Sequence, residues 1–92
     1  MTLDQALFNW LQIYYVLEQR PHDEAAQETC QFFWTILTED HGVQTVEVDQ
    51  HDDMYIVRLQ QKGVELEKKF PVPAVQKLWF DLEENQAGQH QD

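Results

Sequence analysis

The chain of 92 residues lacks, or has little of, several residue types that particular functions require. It contains no serine, which excludes a serine nucleophile, and its single cysteine, Cys30, cannot form an intramolecular disulfide. Only three glycines are present, and no glycine-rich phosphate-binding loop occurs. The longest unbroken apolar run, "IYYVL", is far shorter than the roughly 20 residues that cross a bilayer. With no basic signal region at the N-terminus, these absences predict a cytoplasmic protein.

Basic residues are also scarce, because 6 Lys and Arg stand against 17 Asp and Glu, for a net charge of −11. Nucleic-acid binding needs a basic surface that replaces phosphate counterions, and anionic membranes would repel this chain as well. We therefore expect neither a nucleic-acid nor a membrane partner, and an acidic surface that suits a basic protein partner. What is abundant is apolar: 42% hydrophobic and 12% aromatic residues predict one small folded domain.

Three segments have helical periodicity, and two of them carry clear start signals. Thr2 and Gln5 have the spacing of a capping box, and Asp23 is a good N-cap residue. Pro73 suits the first turn of the last helix. The predicted helices are Leu3–Gln19, Glu24–Asp40 and about 73–85.

Between the second and third helices the apolar period changes to two, which is typical of half-buried antiparallel strands. The sequence therefore predicts an α+β fold: a two-layer ααβββα domain over residues 1–86, in which a three-stranded antiparallel meander has helices packed on one face. Residues 87–92 are polar, and we expect a frayed C-terminal tail there.

The turns between the strands set the predicted registers. A turn at His51 and Asp52 would pair Val48 with Tyr55, and a turn at Lys62–Gly63 would pair Leu59 with Leu66 and Arg58 with Glu67. Lys68 then falls on the inner face of an edge strand, where a lysine reaches outward and discourages edge-to-edge pairing.

The segment "DQHDD" concentrates four side chains that could bind a divalent metal: Asp49, His51, Asp52 and Asp53. It lacks the central glycine of a calcium loop, and Asp49 points away from the tip in the predicted register. A solvated turn explains these residues better, because aspartate tolerates turn conformations. We expect no cofactor, and we retain His51, Asp52 and Asp53 as weak metal candidates.

The first two helices are apolar over unusually wide arcs, about 220° and about 200° at 100° per residue. One interpretation is that each helix packs on both the sheet and its neighbour. The other, which we favour, is that aromatic helix surfaces form a homodimer interface. The first strand offers an alternative contact if it lies at a sheet edge, since it has no lysine. The interface candidates are Phe8, Trp10, Tyr15, Val16, Trp34 and Phe80.

These observations predict a small acidic interaction or regulatory protein that is not an enzyme. Cys30 lies on an apolar stripe and is expected to be an inert thiol. Two further hypotheses remain open: a metal or small-ligand binder at the Asp49–Asp53 tip, and an acidic decoy or inhibitor of a basic nucleic-acid-binding protein. The decoy would use a carboxylate-rich sheet face formed by Glu47, Asp49, Glu65 and Glu67.

Overall fold

A computed structural model describes residues 1–89, with side chains described through residue 84, and it confirms the α+β fold. Three helices and one sheet follow each other in the predicted ααβββα order, and the antiparallel strands lie in the order β1-β2-β3. The elements are α1 (Leu3–Gln19), α2 (Glu24–Thr35), a π-helical turn (Ile36–Asp40), β1 (Val43–His51), β2 (Met54–Gln61), β3 (Val64–Pro71) and α3 (Val72–Gln89).

The predicted helix starts are confirmed by their caps. The Thr2 hydroxyl accepts a hydrogen bond from the Gln5 N–H at 3.1 Å, and the Gln5 amide oxygen accepts one from the Thr2 N–H at 3.2 Å. The Asp23 carboxylate accepts from the Ala26 N–H at 3.1 Å. Each cap satisfies backbone donors that the first helical turn leaves without a helical partner.

The helix ends differ more from prediction. The second helix reaches Asp40 as expected, but its last turn, Ile36–Asp40, widens into a π-helix. The third helix continues to Gln89, beyond its predicted end and into the segment expected to fray. The remainder of that tail, residues 90–92, lies outside the described residues.

Within the described part of the chain, no helix combines the length and hydropathy that crossing a membrane requires.

One strand register is confirmed and the other is wrong by two residues. Leu59 pairs with Leu66 and Arg58 with Glu67, as predicted. Val48 pairs with Val57 instead of Tyr55, because the turn lies at Asp52 and Asp53 instead of one residue earlier. Asp52 takes a φ of 54°, which aspartate tolerates. A two-residue slip keeps every side chain on its face, so the apolar pattern could not distinguish the registers.

Helix α1 is buried on two sides, which accounts for its wide apolar arc. On one side Leu7 and Leu11 pack into a core with Val57 and Leu59 of β2. On the other side, a second cluster joins α1 to α2 and α3. Its members are Ile13, Val16 and Ala26, with Leu17, Cys30, Phe33, Leu78, Trp79 and Leu82 packed against them. The three helices therefore close largely on one another and on the sheet.

This packing removes Val16 from the predicted homodimer surface and leaves Trp10 only partly accessible. Trp10 is 8% exposed and Val16 is 2% exposed, so both are core residues within a single chain. The favoured interpretation took the wide apolar arc as a surface left over for a dimer, whereas the packing of α1 on the sheet and on its neighbouring helices agrees with the alternative interpretation. In the structure α2 and α3 cover much of the rest of α1, so Val16 has almost no exposed surface for a contact between copies, whereas Trp10 borders open space as part of a groove between α1, α2 and β1.

Candidate interaction groove

The acidic tip forms a two-residue turn between β1 and β2. His51 ends β1, and His51, Asp52 and Asp53 are all exposed. The Asp53 carbonyl accepts a hydrogen bond from the Val72 N–H at 2.8 Å, which ties the turn to the start of α3. Within the described residues, His, Cys, Asp and Glu side chains nowhere gather in threes to hold a metal. The metal hypothesis thus receives no support from the geometry of the turn.

The outer face of the sheet brings the predicted carboxylates together around one cation. The Arg58 guanidinium lies 3.4 Å from an oxygen of Asp49 and 3.3 Å from an oxygen of Glu67. Glu47 stands opposite Arg58 in the register, and neither Glu47 nor Glu65 forms an ion pair among the described side chains. The outer face is acidic, but at its centre Arg58 of β2 pairs with Asp49 of β1 and Glu67 of β3 and so neutralises part of the negative charge.

An apolar groove of about 330 Å³ opens between α1, α2 and β1. The aromatic rings of Trp10 and Trp34 form part of its wall, and Val46 of β1 lies along its side. Two glutamines of α2, both exposed, stand at its rim. Its lining residues are Trp10, Leu17, Gln27, Cys30, Gln31, Trp34 and Val46.

Three aromatic rings pack together at this wall. The Trp10 ring stacks on Tyr14 with centroids 5.0 Å apart, and it meets Trp34 at 5.9 Å. Pairs at these separations are favourable beyond the area they bury. Because Trp10 and Trp34 both line the groove and pack on each other, a partner would meet an apolar surface that is already formed in the folded domain.

Cys30 lies in the groove wall and is partly buried. Burial raises the pKa of its thiol above the ordinary cysteine value, although a hydrogen bond with Trp10 opposes part of this shift. A raised pKa leaves less thiolate at neutral pH, and the thiolate is the reactive form. The groove therefore contains an apolar thiol and carries no support for nucleophilic catalysis.

A second groove, also about 330 Å³, continues along the inner face of β1 and is more polar. We call it the tyrosine groove. Burial raises the pKa of the Tyr15 phenol, and the nearby Tyr55 and Glu18 raise it further. The Tyr55 hydroxyl is held by a hydrogen bond from the Gln76 side chain at 3.1 Å. The lining residues are Tyr14, Tyr15, Glu18, Gln19, Val48, Gln50 and Tyr55.

The other predicted contact residues are scattered. Phe8 and Tyr15 are half-buried, Trp34 lines the apolar groove, and Phe80 is 56% exposed on α3. Phe8 packs on Phe70 of β3, with ring centroids 5.8 Å apart, away from the groove. The structure therefore does not join the predicted residues into one continuous surface.

Some groove residues were missed by sequence reasoning because their sites depend on packing between elements. Leu17 and Val46 read as ordinary core positions, yet both border open space. Tyr14, at 36% exposure, sits between the two grooves. Phe32 is 59% exposed and was also missed. It lies about 130° from the centre of its helical stripe at 100° per residue, a signal that could have marked it as a surface residue.

Comparison with known proteins assigns neither a family nor a function to this chain. No protein-family model, no curated protein and no solved structure matches this chain.

Proposed function

We propose that this protein is a small non-catalytic interaction protein that holds a protein partner in the apolar groove between α1, α2 and β1. The observation that carries the proposal is the groove itself. Trp10, Cys30, Trp34 and Val46 line an open apolar volume that the folded domain leaves unfilled. Contiguous apolar surface of this kind marks binding sites in small soluble domains.

Two features support binding over catalysis. The titratable side chain in the groove is Cys30, whose raised pKa disfavours the reactive thiolate. The amide nitrogens of Gln27 and Gln31 donate to Pro21 O and Thr35 Oγ1 within the chain. Their amide oxygens suit hydrogen bonding to a partner at a polar rim.

The homodimer remains part of the proposal, but with fewer residues available for its interface. With Val16 inside the core and Trp10 accessible in the wall of the groove, a second copy would have to use the groove or the exposed rings of Phe32 and Phe80. Solution mass by light scattering over a concentration series tests this. A mass that rises with concentration and falls back in Gln31→Arg would identify the second copy as the groove's occupant.

A partner of different sequence is tested by comparing two variants in affinity capture from the source cells. Gln31→Arg places a long cation at the groove rim, on an exposed position that the fold tolerates. Gln60→Arg makes the same exchange on the exposed outer sheet face and leaves the groove unchanged. We expect a protein that the native chain captures to be lost with Gln31→Arg and retained with Gln60→Arg.

The opposite pattern would assign binding to the outer face, as the decoy hypothesis requires. Gln60 neighbours Glu47, Glu65 and Arg58 there, so an added cation weakens an acidic docking surface. Equal capture by both variants would contradict the proposed groove. Unchanged circular dichroism and thermal unfolding of both variants is the control for folding.

A further inference from the structure

The inference concerns the partner's chemistry and rests on the proposed function of the groove. It begins from the free edge of β1. Among the strands of residues 1–89, β1 pairs with β2 alone in the order β1-β2-β3, so the backbone groups on its other side have no strand partner there. A register shift near Val43 and Thr45 interrupts the pairing at one end, and the ladder is regular from Thr45 to His51. An unpaired regular edge is a template for another strand.

Both grooves lie along this same edge. Val46 borders the apolar groove, and Val48 and Gln50 border the tyrosine groove. Alternate residues of a strand share a face, so these three are consecutive inner-face positions. A strand added beside β1 would lie about 4.8 Å away, and its inward side chains would enter the two grooves in turn.

The outward side chains of an added strand would meet negative charge. Glu47 and Asp49 are the outer-face residues of β1 between the inner-face positions 46, 48 and 50, and both are exposed. Glu18 lines the tyrosine groove. None of the chain's six Lys and Arg residues lines either groove, and none lies in β1.

We infer that the occupant is an extended segment of a partner protein, in which apolar residues alternate with Lys or Arg, and that it adds to the sheet as a fourth strand beside β1. Its apolar side chains fill the grooves beside Val46 and Val48. Its cations pair across the strands with Glu47, and with Asp49 in competition with Arg58, which already pairs with that carboxylate. A strand that pairs with the β1 backbone presents its side chains alternately to the two faces of the sheet. The grooves favour apolar residues at every second position, and the outer-face carboxylates favour Lys or Arg at the positions between them.

A second copy of β1 fits this edge poorly. Pairing two β1 strands places Glu47 and Asp49 of each copy beside carboxylates of the other, and like charges directly opposite are destabilising. Each chain also carries a net charge of −11, so two copies repel at low salt. A helix in the apolar groove would leave the backbone edge of β1 unused.

The test uses three capped synthetic peptides and the full chain. The first peptide alternates Val and Lys over about seven residues, enough to follow β1 at ~3.3 Å per residue. The second has the same composition with its Val and Lys residues grouped, and the third alternates Val and Glu. Binding is followed by the indole NMR signals of Trp10 and Trp34, and strand pairing by hydrogen exchange of the backbone amides of β1 and β3.

We expect the Val/Lys peptide to slow exchange in β1 at least tenfold, to leave β3 unchanged, and to bind at least tenfold more tightly than either control peptide. Val48→Lys, which puts a cation on the inner face of β1, should abolish the protection. Val64→Lys makes the same exchange on β3, where Val64 is 59% exposed, and should leave binding intact.

Three results would overturn the inference. Indole shifts without protection of β1 would mean that the groove is occupied but no strand is added, so the proposed function would stand alone. No protection of β1 at millimolar peptide, with no indole shift, would also reject the strand. The capture experiment with Gln31→Arg and Gln60→Arg would then decide the groove independently. Concentration-dependent protection of β1 without peptide would identify the second copy as the occupant.

Discussion

The two edges of the sheet, β1 and β3, differ in how they are protected. Lys68 of β3 lies on the inner face opposite Val57, and its ammonium group reaches Asp4 of α1 at 3.1 Å. Lys69 and Pro71 follow on the same strand, and each discourages pairing with another chain. β1 has no lysine and no proline, and its inner face borders the two grooves.

This difference indicates that the domain guards one edge and leaves the other accessible. Both edges belong to the same small sheet, so sheet stability alone does not require the contrast. β3 is also covered from within, since Phe70 contacts Phe8 of α1. On the β1 side, α2 stands far enough from the strand to leave the apolar groove open. An unguarded edge beside an apolar groove is the arrangement that strand addition uses.

The glycines that lead into the two edge strands should give the largest stability effects. Gly42 precedes β1 with a φ of 67°, and a Cβ there would meet Lys62 Cγ at 2.8 Å; Gly63 precedes β3 with a φ of 81° and open space around it. Alanine at either position costs about 1–2 kcal/mol of unfolding free energy from left-handed backbone strain. Gly42→Ala should cost up to ~1 kcal/mol more, because the exposed Lys62 must move aside.

Urea unfolding of both variants measures this comparison. If Gly63→Ala lowered the free energy of unfolding more than Gly42→Ala, the result would contradict the close approach of Lys62 to the start of β1.

The Cys30 thiol reports on the groove beside β1 through its pH dependence. Because burial raises its pKa, alkylation by iodoacetamide at neutral pH should be several-fold slower than in the unfolded chain and should accelerate with rising pH. The folded state holds this proton more tightly than the unfolded state. Stability from this group is therefore complete below the ordinary thiol pKa and declines as the pH rises toward the raised value.

Cys30→Ala is the control for that decline and should remove it. Alkylation as fast as that of a free cysteine would show that the groove is more open to solvent than the structure places it. Slower alkylation in the presence of the Val/Lys peptide would provide a second measure of groove occupancy.

Removing the inner-face guard of β3 should make the two edges more alike. Lys68→Leu is expected to increase self-association at high concentration, measured by sedimentation velocity, because the edge loses the charge that opposes pairing. Its exposed ion pair with Asp4 is worth at most about 1 kcal/mol, so the fold should persist. Lys77→Leu, an equal charge change on α3, is the matched control. If both variants self-associated equally, the increase in self-association would be due to the change in net charge and not to the edge of β3.

The smallest effect concerns Arg58, which joins both edges on the outer face. Asp49→Asn on β1 and Glu67→Gln on β3 each remove one exposed pair with similar geometry. Each should change the unfolding free energy by less than about 0.5 kcal/mol, and the change should fade at high salt. Thermal unfolding at two ionic strengths measures it. A loss above about 1 kcal/mol at either residue would reveal an unequal coupling of the two edges.

Local signals in the sequence were sufficient for much of the fold. The capping box at Thr2 and Gln5, the N-cap at Asp23 and the period-two strands depend on neighbours in the chain, and the structure confirms them. The turn at Lys62–Gly63 also fixed the register between β2 and β3, because both residues take the positive φ that a two-residue hairpin turn requires. The first turn failed because "DQHDD" offers several residues that suit a turn, and a two-residue slip preserves the apolar face.

Only the tertiary structure decided where the apolar surface remains open. A helical wheel shows that α1 is apolar over a wide arc, but not which elements cover that arc. α2 and α3 bury Val16 and, with the sheet, Trp10, while the gap between α2 and β1 leaves Val46 beside a groove. Local periodicity follows from backbone geometry within one element. Exposure follows from the spacing between elements that are distant in sequence, which is the physical reason that the sequence determined the fold class and packing determined the site.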